Sequence, residues 1–305
     1  MPVIPLRYKT ALLSLALFSL NATVMAQTSP AVSPNLAQID ELVEKTRQAF
    51  NVPGISVAIV KDNQVVLSKG YGIRSIAGKH AMDEHTLVGI ASNSKAFTAA
   101  ALAILVDEKK LQWNDKVSKY LPEFKMYNPY VTEEFTVLDL LTHRSGLGLG
   151  AGDLMFFPDG SDFTINDVIH NLRYLKPVSS FRSKYDYDNN LYIVAGEVIR
   201  RASGLSWEDF IEKRILKPLG MRESAAAIDR VTVADNMVDP HVEIDGKLKI
   251  VPFKPNPVLG AAAGIYSNVH DMSKWVSMLL NKGSYPGAKE NQRLLSEKVL
   301  HEMWS

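Results

Sequence analysis

The sequence predicts an α/β (α+β) fold on three observations: an amphipathic opening segment runs straight into two β-prone stretches, a nearly all-apolar helix follows, and the rest reads mainly as helices with one further hairpin. Leu36, Ile39, Leu42, Val43 and Phe50 recur at helical spacing until Pro53-Gly54 stops the pattern. Ile55 to Val60 and Val65 to Gly70 then pair around Lys61-Asp62-Asn63-Gln64 as a hairpin. Ser94 to Val106 has scarcely a polar face, so this helix must be surrounded by protein. Thr136 to His143 and Thr164 to Leu175 predict two more helices, separated by a long loop from Gly146 to Gly160 of the kind that more often serves function than not. Asn189 to Ala202, closed by Gly204, and Ser206 to Leu216, closed by Pro218, predict two helices in series. A second hairpin joins Val242 to Ile244 with Lys247 to Val251 around Asp245-Gly246. Helices at Asn268 to Leu280 and Ser296 to Trp304 end the series, and nothing subdivides residues 36–305.

Composition narrows the function. With 34 basic and 33 acidic side chains scattered along the chain there is no cationic footprint for nucleic acid, and none is expected as a partner. The absence of cysteine removes disulfides, a thiolate nucleophile and cysteine-ligated zinc. At the N-terminus Arg7 and Lys9 precede an apolar run, Ala11 to Leu20, and then Val24-Met25-Ala26, with small residues where a signal peptidase reads. Residues 1–26 are therefore expected to be a signal peptide and 27–35 a flexible leader, which predicts a periplasmic or secreted protein. Loss of Arg7 and Lys9 takes the formal charge from +1 to about −1, so no membrane attraction is expected after cleavage.

Ser92-Asn93-Ser94-Lys95 is the one place where lysine follows serine by three residues, and it opens the most apolar helix. Three residues make nearly one turn, so the Lys95 amine reaches the Ser92 hydroxyl. Unpaired amides at the helix N-terminus favour negative charge near the serine, and burial depresses the lysine toward a neutral base. The same tetrapeptide also fits a serine cap followed by an exposed lysine; the buried run that follows argues for chemistry. Tyr187-Asp188-Asn189 precedes another helix. Asn189 fits a helix cap and the tyrosine fits packing, or the pair supplies a proton-shuttling phenol and a carbonyl-orienting amide.

Together these segments carry a resemblance. Gly89-Ile90-Ala91-Ser92-Asn93-Ser94-Lys95 resembles the first motif of the serine β-lactamase and penicillin-binding-protein superfamily. The stretch 115–124, reading DKVSKYLPEF, and 140–147, reading LLTHRSGL, are similar to later segments of that family, as are Tyr187-Asp188-Asn189 with Tyr192 and Gly196, and 263–267, reading AGIYS, with Asp271. The ordered agreement is most like the class C β-lactamase branch with its D,D-peptidases and esterases. The resemblance implies an antiparallel sheet flanked by helices plus an all-helical region. It implies Ser92 as the acylated nucleophile, Lys95 and Tyr187 as the proton-transfer pair, and Asn189 as a contact for the acyl side chain or Lys95. The loop 146–160 would wall the pocket. Asp188 stands where many relatives have serine, which leaves the tyrosine and asparagine roles intact and points to an altered substrate charge preference.

The family's third motif, Lys/His-x-Gly, has no match, so the resemblance further implies a domain incomplete at its C-terminus, with the final sheet strands missing and the first hairpin short of sheet neighbours. No Gly-x-Ser-x-Gly elbow is present, and the seven histidines include no two-apart or four-apart pair, so neither an α/β-hydrolase nor a zinc site is expected, and no cofactor. His143, the one histidine in a matched segment, is expected to be structural. The function expected is an exported serine hydrolase acting on a β-lactam, a D-Ala peptide or a small ester; the rival is a non-catalytic penicillin- or peptidoglycan-binding sensor of the same fold.

Overall fold

The computed structural model describes residues 35–157, 160–254, 256–288 and 292–304. The signal read at 1–26, and all but the last residue of the leader at 27–35, lie outside the described residues. From Leu36 onward the chain forms one compact unit. No described helix is long and apolar enough to cross a membrane.

Helix α1 (Leu36–Ala49) leads into strands β1 (Gly54–Lys61) and β2 (Gln64–Gly72). The strands pair antiparallel around Asp62 and Asn63, whose φ values of 51° and 61° are those a two-residue hairpin turn requires. After the short strand β3 (Val88–Gly89) comes α2 (Ser94–Asp107), the predicted apolar helix. Phe97, Ala100, Ala101, Leu102, Ala103 and Leu105 on it are wholly buried. The same core takes in residues of α3 (Pro129–Glu134), α4 (Ile165–Asn171), α5 (Asn190–Ser203) and α6 (Trp207–Ile211), of which α5 and α6 pack directly on α2. Such burial is worth roughly 1.5–3 kcal/mol per large apolar side chain, and it fixes α2 as a rigid platform.

The remaining elements close the unit around this platform. A π turn at Glu212–Leu216 connects α6 to α7 (Lys217–Leu219), so Pro218 lies inside the helical path instead of ending it; the stop is Gly220, at φ 69°. Strands β4 (His241–Ile244) and β5 (Lys247–Ile250) form the predicted second hairpin. Helix α8 (Gly260–Ala263) and strand β6 (Tyr266–Ser267) precede α9 (Val269–Leu280) and α10 (Glu297–Glu302). Among the described residues three two-stranded antiparallel sheets result, β1–β2, β3–β6 and β4–β5, with α1 and α9 packed on the first. The fold is thus mixed α/β, as predicted, with helices around small antiparallel sheets.

One predicted helix is not there. Thr136 to His143 contains only a 3-10 turn at Leu138–Leu140. Thr136 and Asp139 make the contacts of a helix start, the Asp139 carboxylate accepting from the Thr136 amide at 2.9 Å and the Thr136 hydroxyl at 2.6 Å while Arg182 donates to both its oxygens, but only the one turn follows. His143 then takes a left-handed φ of 56°, which ends any helix.

Candidate active site

The β3–β6 ladder sets the approach to Ser92. Val88 pairs with Ser267 and Gly89 with Tyr266, and the Ile90 amide donates to the Ile265 carbonyl at 2.9 Å. Ala91 then adopts φ 47°, a conformation that non-glycine residues rarely take and that clusters at functional sites. The chain turns sharply there into a 3-10 turn, Ala91–Asn93, which leaves the Ser92 side chain exposed at the mouth of α2. Ser94 and Lys95, next along, are buried.

Lys95 reaches back one turn, and Nζ lies 3.1 Å from Ser92 Oγ. It also lies 2.8 Å from Asn189 Oδ1 and 3.0 Å from the Ala262 carbonyl. Burial lowers its pKa, against the opposing pull of Tyr187, Asp153 and Asp188. A neutral lysine amine has two N–H bonds and one lone pair. Two carbonyl acceptors occupy the hydrogens, and the lone pair is left for the serine. The Ala262 carbonyl is held in place because α8 is fastened to α2 and α5. Thr98 Oγ1 donates to the Ala261 carbonyl at 2.7 Å, and Gly196 on α5 lets Ala261 approach so closely that an added Cβ would sit 2.6 Å from it.

Tyr187 approaches from the other side, its hydroxyl donating to Ser92 Oγ at 2.6 Å. Its ring stacks on His143 with centroids 4.5 Å apart, and Lys95 Nζ lies 4.7 Å from the ring centre. Nδ1 of His143 accepts the Asp188 amide at 3.1 Å, which leaves the proton on Nε2. Desolvation pushes the His143 pKa down to about 4, with the Lys95 charge adding to it, so the ring stays neutral. His143 is a platform for Tyr187.

The four predicted residues Ser92, Lys95, Tyr187 and Asn189 therefore meet in one cluster. Asn189 does not cap α5; its carbonyl points at Lys95 and its amide nitrogen lies 3.4 Å from Asp153 Oδ1. The cap is Asp188, whose Oδ1 accepts from the Leu191 amide at 3.1 Å. Asp188 is only 1% exposed, so the expectation that it sets substrate charge preference gives way to a local, helix-terminating part. Its other oxygen has no hydrogen-bond partner among the described residues, and burial pushes its pKa up to about 7.

The charge that does face the cluster is Asp153, which residue-by-residue reading of the sequence did not single out. It stands on the loop 146–160, folded back by Gly150 and Gly152 at φ 70° and 80°. Asn190 Nδ2 anchors that loop on the Ala151 carbonyl at 2.6 Å. The loop's length signalled function, but only folding shows which side chain turns inward. Away from the cluster, Glu84, His85 and His270 bring possible metal-ligand atoms within 4.8 Å of one another, a grouping no sequence spacing announces.

Such an arrangement, a serine flanked by a buried amine and a phenol, can accept an acyl group. The chain is also similar to known proteins. Residues 39–305 match the Beta-lactamase family. The chain is 28% identical over 267 residues to the unguisins hydrolase ungD' of Aspergillus campestris, covering 85% of this chain and 50% of that protein. It is 30% identical over 248 residues to protein flp of Staphylococcus aureus, covering 80% and 49%. Among solved structures, the octameric penicillin-binding protein homologue from Pyrococcus abyssi superposes with a TM-score of 0.76 at 28% identity, over 89% of this chain and 60% of that one. The chain spans about half the length of the curated relatives it matches.

Proposed function

This chain belongs to the Beta-lactamase family, and from that premise we propose that it is an exported serine hydrolase, periplasmic or secreted, that works through an acyl-enzyme on Ser92. The observation that carries the proposal is the convergence of Lys95 Nζ and Tyr187 Oη on one hydroxyl, at 3.1 Å and 2.6 Å. In the first half-reaction Ser92 Oγ bonds to the substrate carbonyl carbon while its proton passes to the Lys95 amine. The Tyr187 hydroxyl gives its proton to the leaving nitrogen or oxygen as the bond to the carbonyl carbon breaks, and Lys95 restores the phenol. Water then attacks the acyl-serine, passes one proton through the same pair, and releases the acid and the free Ser92 hydroxyl. Asn189 orients Lys95 and lines the acyl side. Similarity to proteins named as unguisins hydrolases supports hydrolysis as the outcome.

Substrates of this mechanism are strained or activated acyl compounds: a β-lactam, a D-amino-acyl peptide or a small ester. A fluorophosphonate probe and a fluorescent penicillin test it directly. Labelling of the wild type that disappears in Ser92→Ala is the expected result. Absence of labelling by both, with no turnover of nitrocefin, p-nitrophenyl butyrate or a D-Ala-D-Ala peptide, would sink the enzyme reading and leave a binding module.

A further inference from the structure

Around Lys95 there are two carboxylates, and they face opposite ways. Asp188 is sealed in the protein and bound to the start of α5, whereas Asp153 is half-exposed on the loop beside the cluster. A single amide group separates Asp153 from Lys95: Asn189 accepts from Nζ at 2.8 Å through Oδ1 and offers Nδ2 to Asp153 Oδ1 at 3.4 Å. That arrangement fixes which way the Asn189 amide is turned, since an ammonium or amine donor faces its carbonyl and a carboxylate its NH2. Asp153 Oδ2 makes no hydrogen bond among the described residues. Leu149, Leu154 and Phe157 stand exposed along the same loop, which therefore presents an apolar rim to solvent.

We propose that Asp153 is a specificity-determining residue that selects acyl donors carrying a free amine next to the scissile carbonyl, that is, aminoacyl esters and peptides with an unblocked N-terminus. The inference rests on the acyl-enzyme reading of Ser92 and names its substrate class. A carbonyl carbon placed at Ser92 Oγ, with its oxygen away from Lys95, sends its α-substituents toward Asn189 and the loop. An α-ammonium there meets Asp153 Oδ2 and gains a charge-assisted hydrogen bond, while the side chain of the same residue meets the apolar rim. An N-acylated substrate presents a neutral amide, forfeits the ion pair and leaves the carboxylate facing an uncharged group. Substrates with a carboxylate at that position are repelled.

The test uses matched pairs, D- and L-alanine p-nitroanilide against their N-acetyl derivatives, with Ser92 labelling by fluorophosphonate run in parallel. Wild type is expected to prefer the free amine at least tenfold in kcat/KM for one enantiomer, and to be protected from the probe by alaninamide but not by N-acetylalaninamide. Asp153→Asn should bring the pair to within about twofold by raising KM for the free amine relative to the acetylated substrate, a ratio that is independent of any change in rate the two substrates share. Labelling of Ser92 with no amine preference, with unchanged preference in Asp153→Asn, or with turnover of neither anilide overturns this inference and leaves the serine hydrolase standing. If Ser92 takes up no probe, the failure belongs to the acyl-enzyme reading itself.

Discussion

Two regions of the molecule are held together differently, the helical body behind Ser92 and the N-terminal helix with its hairpin. In the first lie α2 and α5, each with ten of its fourteen residues buried. In the second, α1 buries none of its fourteen, and all eight residues of β1 are only half-buried. Both parts have regular secondary structure, so hydrogen bonding does not separate them. Apolar burial does, and the cluster at Ser92 is built on the well-buried part, with Lys95 on α2, Ser92 in the turn before it, and Tyr187 and Asn189 just before α5. The difference teaches that placing a reactive hydroxyl to a few tenths of an ångström needs side chains with no freedom to move, which the helical body supplies and the hairpin does not.

The largest test of that contrast is Phe97→Ala. Phe97 is fully buried and stacks on Trp275 with centroids 4.1 Å apart. Its truncation is expected to cost about 3–5 kcal/mol in urea unfolding and to abolish Ser92 labelling at 37 °C. A smaller effect, with a definite sign, comes from Asp188. Its folded pKa, about 7, lies above the 3.8 of a free carboxyl, so its contribution to stability is complete below about pH 4 and is lost as pH rises toward 7. His143 works the other way, losing stability as pH falls from 6.5 through about 4. Wild type should therefore lose ground to Asp188→Asn between pH 4 and pH 7; parallel Tm profiles for the two proteins would refute this. The smallest effect belongs to the hairpin. Ile59→Ala on β1 is expected to cost about 1–2 kcal/mol and to leave the labelling rate within about twofold. If Ile59→Ala matched Phe97→Ala in either readout, the division between the two parts would fail.

The sequence made these parts legible to different degrees. Ser92 with Lys95, and Tyr187 with Asn189, could be read because each pair is set by local geometry at a helix entrance. The apolar run of α2 could be read because almost every position on it demands burial. What could not be read depends on partners distant along the chain. Thr136 and Asp139 start a helix as their spacing suggests, yet it stops after one 3-10 turn, with Asp139 held across to Arg182, forty-three residues on. Pro218 looks like a stop, yet the preceding π turn absorbs it. Asp188 and Asp153 are the same residue type near the same lysine, and only the folded loop shows that one is sealed in and the other faces the cluster. The two-residue strands β3 and β6 are too short for any periodicity to reveal, although they aim Ser92.

The tethers on Lys95 have one more consequence. Ser92 comes from the start of α2, Asn189 from the start of α5 and the Ala262 carbonyl from α8, so the amine is seated only when all three segments are docked. Unfolding any one of them releases the lysine into water, away from the hydroxyl, and the serine becomes an ordinary alcohol. The rate at which Ser92 takes up a covalent probe is then a gauge of native population. Followed through a denaturant or temperature series, that rate would count properly assembled molecules, including those whose helix content alone would pass them as folded.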